Sequence, residues 1–293
     1  MLSAEDFRQI TFEDRPFFME FQSRYPPEHS DYIFSTMVCW QHYMRYSYAR
    51  NHDSVIIMTE HEGEIRFRPP MGPKDRTTLE EVIRLSREIN GENSFSVVDP
   101  EMKDWLQAEF PNMEFQPQRD YFDYVYLAKD LAELSGKRYL KIRNQLNYFL
   151  KHNTYSAEEI SKENIAEARE FLVKWCLQKG CVEEPLLNSE RIAVQTALAN
   201  FTELGLSGLI IRINGIVEAF SVFEKMSNDT AVVHFEKANF TYKGIYQAIN
   251  RETAKFLVND FKFINRETDM GIKGLRKAKE KYHPHHFVEV YHV

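Results

Sequence analysis

Thr230-Ala-Val-Val-His-Phe-Glu-Lys-Ala-Asn-Phe-Thr-Tyr-Lys-Gly-Ile-Tyr-Gln-Ala-Ile-Asn250 and Phe261-Lys-Phe-Ile-Asn-Arg-Glu-Thr-Asp-Met-Gly271 carry the reading that decides this fold. The first stretch alternates over 230–236, so Ala231, Val233 and Phe235 face one way and Val232, His234 and Glu236 the other. A loop ending at Gly244 then opens a helix that runs to about Val258, and a second strand follows at 261–265. A buried strand feeding a loop with glycine at the mouth of a helix offers backbone N–H groups to a ligand. Polar residues just past the second strand stand where open α/β sheets gather their ligands, beyond the carboxyl ends of the strands.

Working outward, Asn214-Gly215 marks a hairpin turn within 206–225, because both central positions tolerate positive φ. Helices are expected at 163–179 and 189–204 before it, with the helix 271–282 and a strand at 287–291 after the quoted run. The first half repeats this order. Helices at 15–24 and 32–46 precede a hairpin, 55–60 with 64–68, turning on His61-Glu62-Gly63. A helix from Thr77 or Thr78 to Ile89, a strand at 94–98, a helix at 100–110 and a strand at 121–127 complete it. The expectation is a duplicated α/β domain: residues 1–128 form one copy and 129–293 the second, which opens with a basic bridging helix at 129–153. Each copy would be a mixed, mainly antiparallel sheet flanked by helices.

Composition sets the bounds. The chain has 293 residues, 43% hydrophobic and 14% aromatic, enough to fill two cores. No apolar run approaches the ~20 residues of a membrane-spanning helix, and the first residues lack a signal peptide's basic and apolar regions. The expected location is the cytoplasm. Three cysteines are too few for a disulfide framework, so Cys176 and Cys181 read as small buried hydrophobes. A formal charge of −7 argues against a general nucleic-acid coat, yet 137–152 is basic without a single acid. Arg138, Lys141, Gln145, Tyr148 and His152 recur at three- and four-residue spacings and share a face. That face is either a solvated surface or a contact for RNA phosphates or anionic head groups.

The chemistry-bearing candidates follow from position. His234 and Glu236 on one strand face can share a proton, or form a structural pair under a helix. Asn265, Glu267 and Asp269 leave the second strand, Asp269 also being placed to cap the next helix. On that helix Leu275, Ala278 and Tyr282 form one stripe, and Arg276, Lys279 and His283 an adjacent cationic one suited to an oxyanion or phosphate. His283-Pro-His-His286 lacks helical ligand spacing and a carboxylate, so no metal is expected.

Asp123-Tyr-Val-Tyr126, the basic run 137–151, His234-Phe-Glu-Lys-Ala238, Tyr242-Lys-Gly-Ile-Tyr-Gln-Ala-Ile-Asn250, Ile264-Asn-Arg-Glu-Thr-Asp-Met-Gly271 and Gly274-Leu-Arg-Lys-Ala-Lys-Glu-Lys-Tyr-His-Pro284 together resemble one group. It comprises soluble proteins related to the C-terminal domain of bacterial phosphatidylglycerol lysyltransferases. The resemblance implies two tandem GNAT-like domains, as in Fem-type transferases that take amino acids from aminoacyl-tRNA. It implies no tightly bound cofactor, aminoacyl-tRNA as donor, and a lipid head group or other hydroxyl or amine as acceptor. Catalytic roles then fall to His234, Glu236, Lys279 and Tyr282. Donor contacts fall to Lys243, Gly244, Gln247, Asn265, Glu267, Asp269 and Arg276. The tRNA arm or an anionic surface would meet Arg138, Lys141 and Tyr148. Acyl-coenzyme A is the alternative donor; against it, Tyr246 stands where the usual pyrophosphate loop has a second glycine. The full lysyltransferases also carry a membrane-embedded portion with no counterpart in this sequence, which bears on the lipid acceptor.

Overall fold

Hairpins organise both halves of the chain. In the computed structural model, which describes residues 1–92 and 94–293, Arg8–Gln9 (β1), Ser47–Asn51 (β2), Ser54–His61 (β3) and Glu64–Phe67 (β4) form an antiparallel sheet in that order. Around it lie Arg15–Arg24 (α1), Phe34–Cys39 (α2), Gln41–Met44 (α3), Arg76–Asn90 (α4) and Pro100–Glu109 (α5). The helix expected over 32–46 is broken at Trp40 and ends at Arg45, which takes φ +43 and turns the chain into β2. Helix α4 is capped by the Asp75 carboxylate, which accepts from the Thr77 and Thr78 N–H groups at 3.1 and 3.0 Å. The cap therefore lies ahead of the threonines that the sequence suggested. Leu79, Val82 and Ile83 are buried as their spacing required. The segment 94–98 contributes isolated bridges in place of a strand, Phe67 with Phe95 and Val98 with Tyr291. Gln116–Pro117 (β5) pairs with Tyr291–His292 at the far end of the chain.

The second unit, Asp123–Phe287, holds a seven-stranded sheet. Its elements are Asp123–Leu127 (β6), Ala128–Glu133 (α6), Leu140–His152 (α7), Tyr155–Glu159 (β7), Ile165–Lys179 (α8), Pro185–Ala199 (α9), Ser207–Ile213 (β8) and Ile216–Lys225 (β9). Thr230–Ala238 (β10), Ile245–Leu257 (α10), Phe263–Asn265 (β11), Lys273–Glu280 (α11) and His286–Val288 (β12) follow, and Tyr291–His292 is β13. The sheet order is β12-β6-β11-β10-β9-β8-β7. β10 and β11 run parallel, β6 pairs antiparallel with β11, and β10, β9, β8 and β7 pair antiparallel in succession. At the β8–β9 turn Asn214 and Gly215 both take positive φ, as their types required.

Three expectations change here. Strand β6, assigned by sequence to the first domain, lies between β11 and β12 in the second unit's sheet. The first unit comprises Met1–Phe122 and Val288–Val293, so the division falls at 122/123 and the last six residues return to it. Helix α7 is no mere bridge, because Ile142, Leu146 and Phe149 sit in the core of the second unit while Leu140 and Leu150 are exposed. Cys176 and Cys181, though buried, are joined by a disulfide: Gly180 at φ +66 turns the end of α8 and brings their Cα atoms to 5.0 Å. Among the described residues no helix is long and apolar enough to cross a membrane.

Candidate active site at the end of the parallel strand pair

The pairing of β10 with β11 runs only from Thr230–Phe263 to Val232–Asn265, and β10 continues to Ala238 without this partner. A wedge opens there. The register of β10 on β9 shifts between Val233 and Phe235, so His234 is the extra residue of a bulge at the mouth of that wedge. Bulges re-aim side chains, and this one directs the imidazole between two carboxylates. His234 Nδ1 lies 2.7 Å from Glu267 and Nε2 lies 2.8 Å from Glu224 on β9. Burial opposes charge on the ring, but the two carboxylates outweigh it and lift its pKa to about 10. The ring is thus a clamped imidazolium. Burial raises the Glu267 carboxyl, with His234 pulling the other way.

The loop after β11 is fixed from several sides. Asn265 Oδ1 accepts from the Glu267 N–H (2.7 Å), and its Nδ2 donates to Asp123 (2.7 Å). The Lys279 ammonium donates to the carbonyls of Arg266 (2.5 Å), Glu267 (3.1 Å) and Thr268 (2.5 Å). Burial and the nearby Arg266 lower the Lys279 pKa to about 8. Glu267 is held at φ +56, a conformation that non-glycine residues seldom adopt and that concentrates at functional sites. Asp269 accepts from the Tyr124 hydroxyl at 2.5 Å and from Arg276 Nε and Nη2, each at 2.8 Å. Burial works against its charge, but these bonds hold its pKa below the usual value. Its carboxylate also accepts from Gly271 N–H, a local turn that replaces the helix cap expected of it.

Across the wedge Arg266 Nη2 donates to Glu236 Oε2, and Asn250 Nδ2 of α10 stands 3.5 Å from the same oxygen. The guanidinium carbon lies 5.2 Å from the Tyr282 ring centre and 5.8 Å from that of Tyr126. Burial raises the Tyr282 phenol's pKa, with the nearby Gln247 side chain and Arg266 pulling the other way. His234, Glu236, Gln247, Asn265, Glu267, Lys279 and Tyr282 thus belong to one polar wedge, with the Asp269–Arg276 pair flanking it. Glu224, Asn250 and Arg266 were missed. Arg266 sits inside the quoted run and could have been read there; Glu224 needs the bulge to reach His234.

Lys243 and Gly244 are placed differently. A Cβ on Gly244 would come within 2.2 Å of the Gln145 carbonyl oxygen and 2.9 Å of Phe149 Cβ. The close approach of α7 and φ +94 therefore require glycine at this position, independently of any contact it makes with a donor. Exposed Lys243 lies over the Tyr148 ring at 4.7 Å, joining the α7 surface. There Lys141 and Tyr148 are exposed, while Arg138 is paired with Asp130 at 2.5 Å.

A model of the family described as "Phosphatidylglycerol lysyltransferase, C-terminal" matches residues 22–293. A solved structure of a conserved protein of unknown function from Bacteroides thetaiotaomicron is 32% identical, with TM-score 0.90 and 98% of both chains covered. A tandem GNAT protein from the clavulanic acid biosynthesis pathway shares the fold at TM-score 0.50 and 9% identity, over 98% of this chain and 97% of that one. An uncharacterised protein of Mycoplasmoides gallisepticum is 25% identical over 178 residues, so 58% of this chain matches 55% of that relative. The chain thus spans about half the length of the curated relative it matches. The architecture is a tandem GNAT-like α/β fold, and the chain belongs to the family of the phosphatidylglycerol lysyltransferase C-terminal domain, a family of transferase class.

Proposed function

We propose that this protein moves an aminoacyl group from aminoacyl-tRNA to a hydroxyl or amine acceptor, with a lipid head group as the first candidate. The observation that carries this reading is the wedge beyond Val232 and Asn265, where buried charged side chains surround the end of a parallel strand pair. An aminoacyl ester is already activated, so a protein need mainly position it and stabilise the oxyanion. The acceptor oxygen or nitrogen adds to the ester carbonyl carbon, and the carbonyl π pair moves to oxygen. Collapse then expels the ribose oxygen, which leaves with a proton while the acceptor loses its own.

In this scheme His234, kept cationic, positions Glu267 and Glu224 and does not act as a base near neutrality. Lys279 is the wedge cation whose pKa, about 8, lies nearest to neutrality, so it is assigned the proton exchange as well as the shaping of the loop. Tyr282 and Glu236 orient the reactants, and the Asp269–Arg276 pair supports the loop. The exposed basic side chains Lys137, Lys141 and Lys151, with Tyr148 and Lys243, offer the tRNA backbone a cationic surface. Against coenzyme A speaks the contact of α7 with Gly244, which fills space beside the helix start where its pyrophosphate would rest.

The test is transfer of radiolabelled amino acid from a panel of charged tRNAs to vesicles containing phosphatidylglycerol. Label should appear in lipid with at least one tRNA, and Lys279→Met should reduce it at least a hundredfold. Label transferred only from acetyl-coenzyme A, or from neither donor, would count against the reading.

A further inference from the structure

A cavity of about 220 Å³ opens in the first unit, between the loop that follows α1, the turn after β4 and the start of α5. At ~30 Å³ per water molecule it holds roughly seven, which is room for a small organic molecule. Tyr32, Pro69 and Pro70 are buried and form its inner wall, Tyr25 is half-buried, and Glu28, Lys74 and Glu101 stand exposed at its mouth. That inner wall is held from behind. The Tyr32 hydroxyl donates to the Val97 carbonyl at 2.7 Å, and the Arg68 guanidinium carbon lies 5.0 Å from the Tyr32 ring centre. Arg68 is itself buried in an ion pair with Asp31. Val97 takes φ +55, an outlier for a β-branched residue, and two positions later Asp99 joins the cavity wall.

The charges around this space are mostly of one sign. Of the four charged side chains that line it three are acids, and the one cation, Lys74, is paired with Glu101 at 2.7 Å. Neither Glu28 nor Asp99 has an ion-pair partner among the described residues. Asp99 Oδ1 accepts from the Met102 N–H at 2.9 Å and caps α5. Burial raises the Asp99 carboxyl, with that N–H and His29 pulling the other way. Loss of water raises Glu28 too, and the Asp99 and Glu101 charges add to it. A cation seated between the two would relieve both.

The kind of cation follows from the walls. Among the described residues no group of three or more His, Cys, Asp or Glu is placed to hold a metal ion, and the inner wall is aromatic ring and proline. Carboxylates over such a surface suit an organic cation. Because they only accept, the ligand must bring N–H donors, which an ammonium has and a quaternary amine lacks.

We propose that this cavity is a further ligand site, for the ammonium group of a short-chain primary amine, with Glu28 and Asp99 accepting its N–H groups while Tyr25, Tyr32 and the prolines cover its alkyl chain. By volume the chain has about four to six carbons. The site lies within the first unit and does not depend on the transfer reading.

Met71 and Met102 also line the cavity, two of the ten methionines in the chain, so their methyl groups report its occupancy. In an NMR titration of the full chain carrying 13C-methyl methionine, n-butylamine should shift these two signals saturably and leave Met226 and Met270 of the second unit unchanged. 1-Butanol, without the charge, and tetramethylammonium, without N–H donors, should each bind about tenfold more weakly. Glu28→Gln, at an exposed position, should weaken butylamine about tenfold with no change in melting temperature. Asp99→Asn retains a capping oxygen for α5 and should weaken it as much. Nα-acetyl-lysinamide separates the sources of the ammonium: tighter binding than butylamine assigns it to a lysyl side chain, weaker binding to a free amine, and either supports the site. Butanol binding as well as butylamine, or binding unchanged in both variants, overturns the site. Tetramethylammonium binding as tightly as butylamine overturns the primary-ammonium assignment.

Discussion

His234 shows what a single residue in this wedge does to the whole. Its ring is held between Glu224 and Glu267 and carries a pKa of about 10. An ordinary histidine titrates near 6.5, so the folded state binds this proton more tightly than the unfolded chain. The stabilisation is therefore complete below about pH 6.5 and is lost as pH rises through about 10. Lys279 acts in the opposite sense: its pKa, about 8, lies below the unfolded value, so its burial penalty is relieved between about pH 8 and 10.4. Comparison with His234→Gln separates the two. The variant should be less stable by roughly 3–5 kcal/mol at neutral pH, because it strands two buried carboxylates. Urea denaturation across pH should show that gap narrowing toward pH 10; a gap that stays constant would remove the imidazolium assignment. At this scale the sequence was legible in part. The strand alternation put His234 and Glu236 on one face, and the end of β11 marked Asn265 and Glu267. The partner Glu224 was not legible, because the bulge that brings it within 2.8 Å depends on how two strands share a register. Asn250 was hidden for a different reason: on an amphipathic helix its polarity reads as surface, and only the packed structure buries it.

Elements were read best where hydrophobic period and turn chemistry agreed. Helix α4, the β8–β9 hairpin and the β10–α10–β11 sequence are of that kind. Strands β2 and β7 were missed because Ser47–Asn51 and Tyr155–Glu159 carry too few apolar residues to alternate visibly. Strand β7 is an edge strand with four of its five residues exposed, so its pairing with β8 is backbone-driven. The α7–α10 contact is the element-scale feature with most consequence, since it fixes the start of α10 and lies beside the wedge. Gly244→Ala places a methyl 2.2 Å from the Gln145 carbonyl oxygen at φ +94. It should cost about 2 kcal/mol or more from backbone strain and overpacking together. Hydrogen exchange should then speed up in both α7 and the first turn of α10. Unchanged stability and exchange would mean that the contact is not needed.

At the scale of the molecule, duplication was visible in the order of elements, but the seam between the two units was not. A strand reads the same from its sequence whichever sheet it joins. Asp123–Leu127 is apolar enough to close the first unit, yet it pairs with β11 through Phe263–Leu127, Ile264–Tyr126 and Asn265–Val125. There it also supports the wedge: the Tyr124 N–H donates to the Glu267 carbonyl (3.2 Å), and the Arg266 N–H donates to the Tyr124 carbonyl (2.9 Å). The chain then crosses back. Tyr291 pairs with Pro117 and exchanges backbone hydrogen bonds with Val98 at 2.8 and 3.0 Å, and the Val293 N–H donates to Phe95 (3.0 Å). The first unit is therefore finished by residues nearly two hundred positions after Phe95, and its integrity depends on the last six. Removing Val288–Val293 should expose the backbone of residues 95–98 and 116–118 to exchange and lower the stability of the first unit. The wedge groups His234, Glu236 and Lys279 lie in the second unit, so exchange there should change least. Hydrogen exchange on the truncated chain distinguishes the cases: loss of protection at β10 and β11 as large as at Phe95 and Val98 would mean that the two units do not fold as separate cooperative blocks.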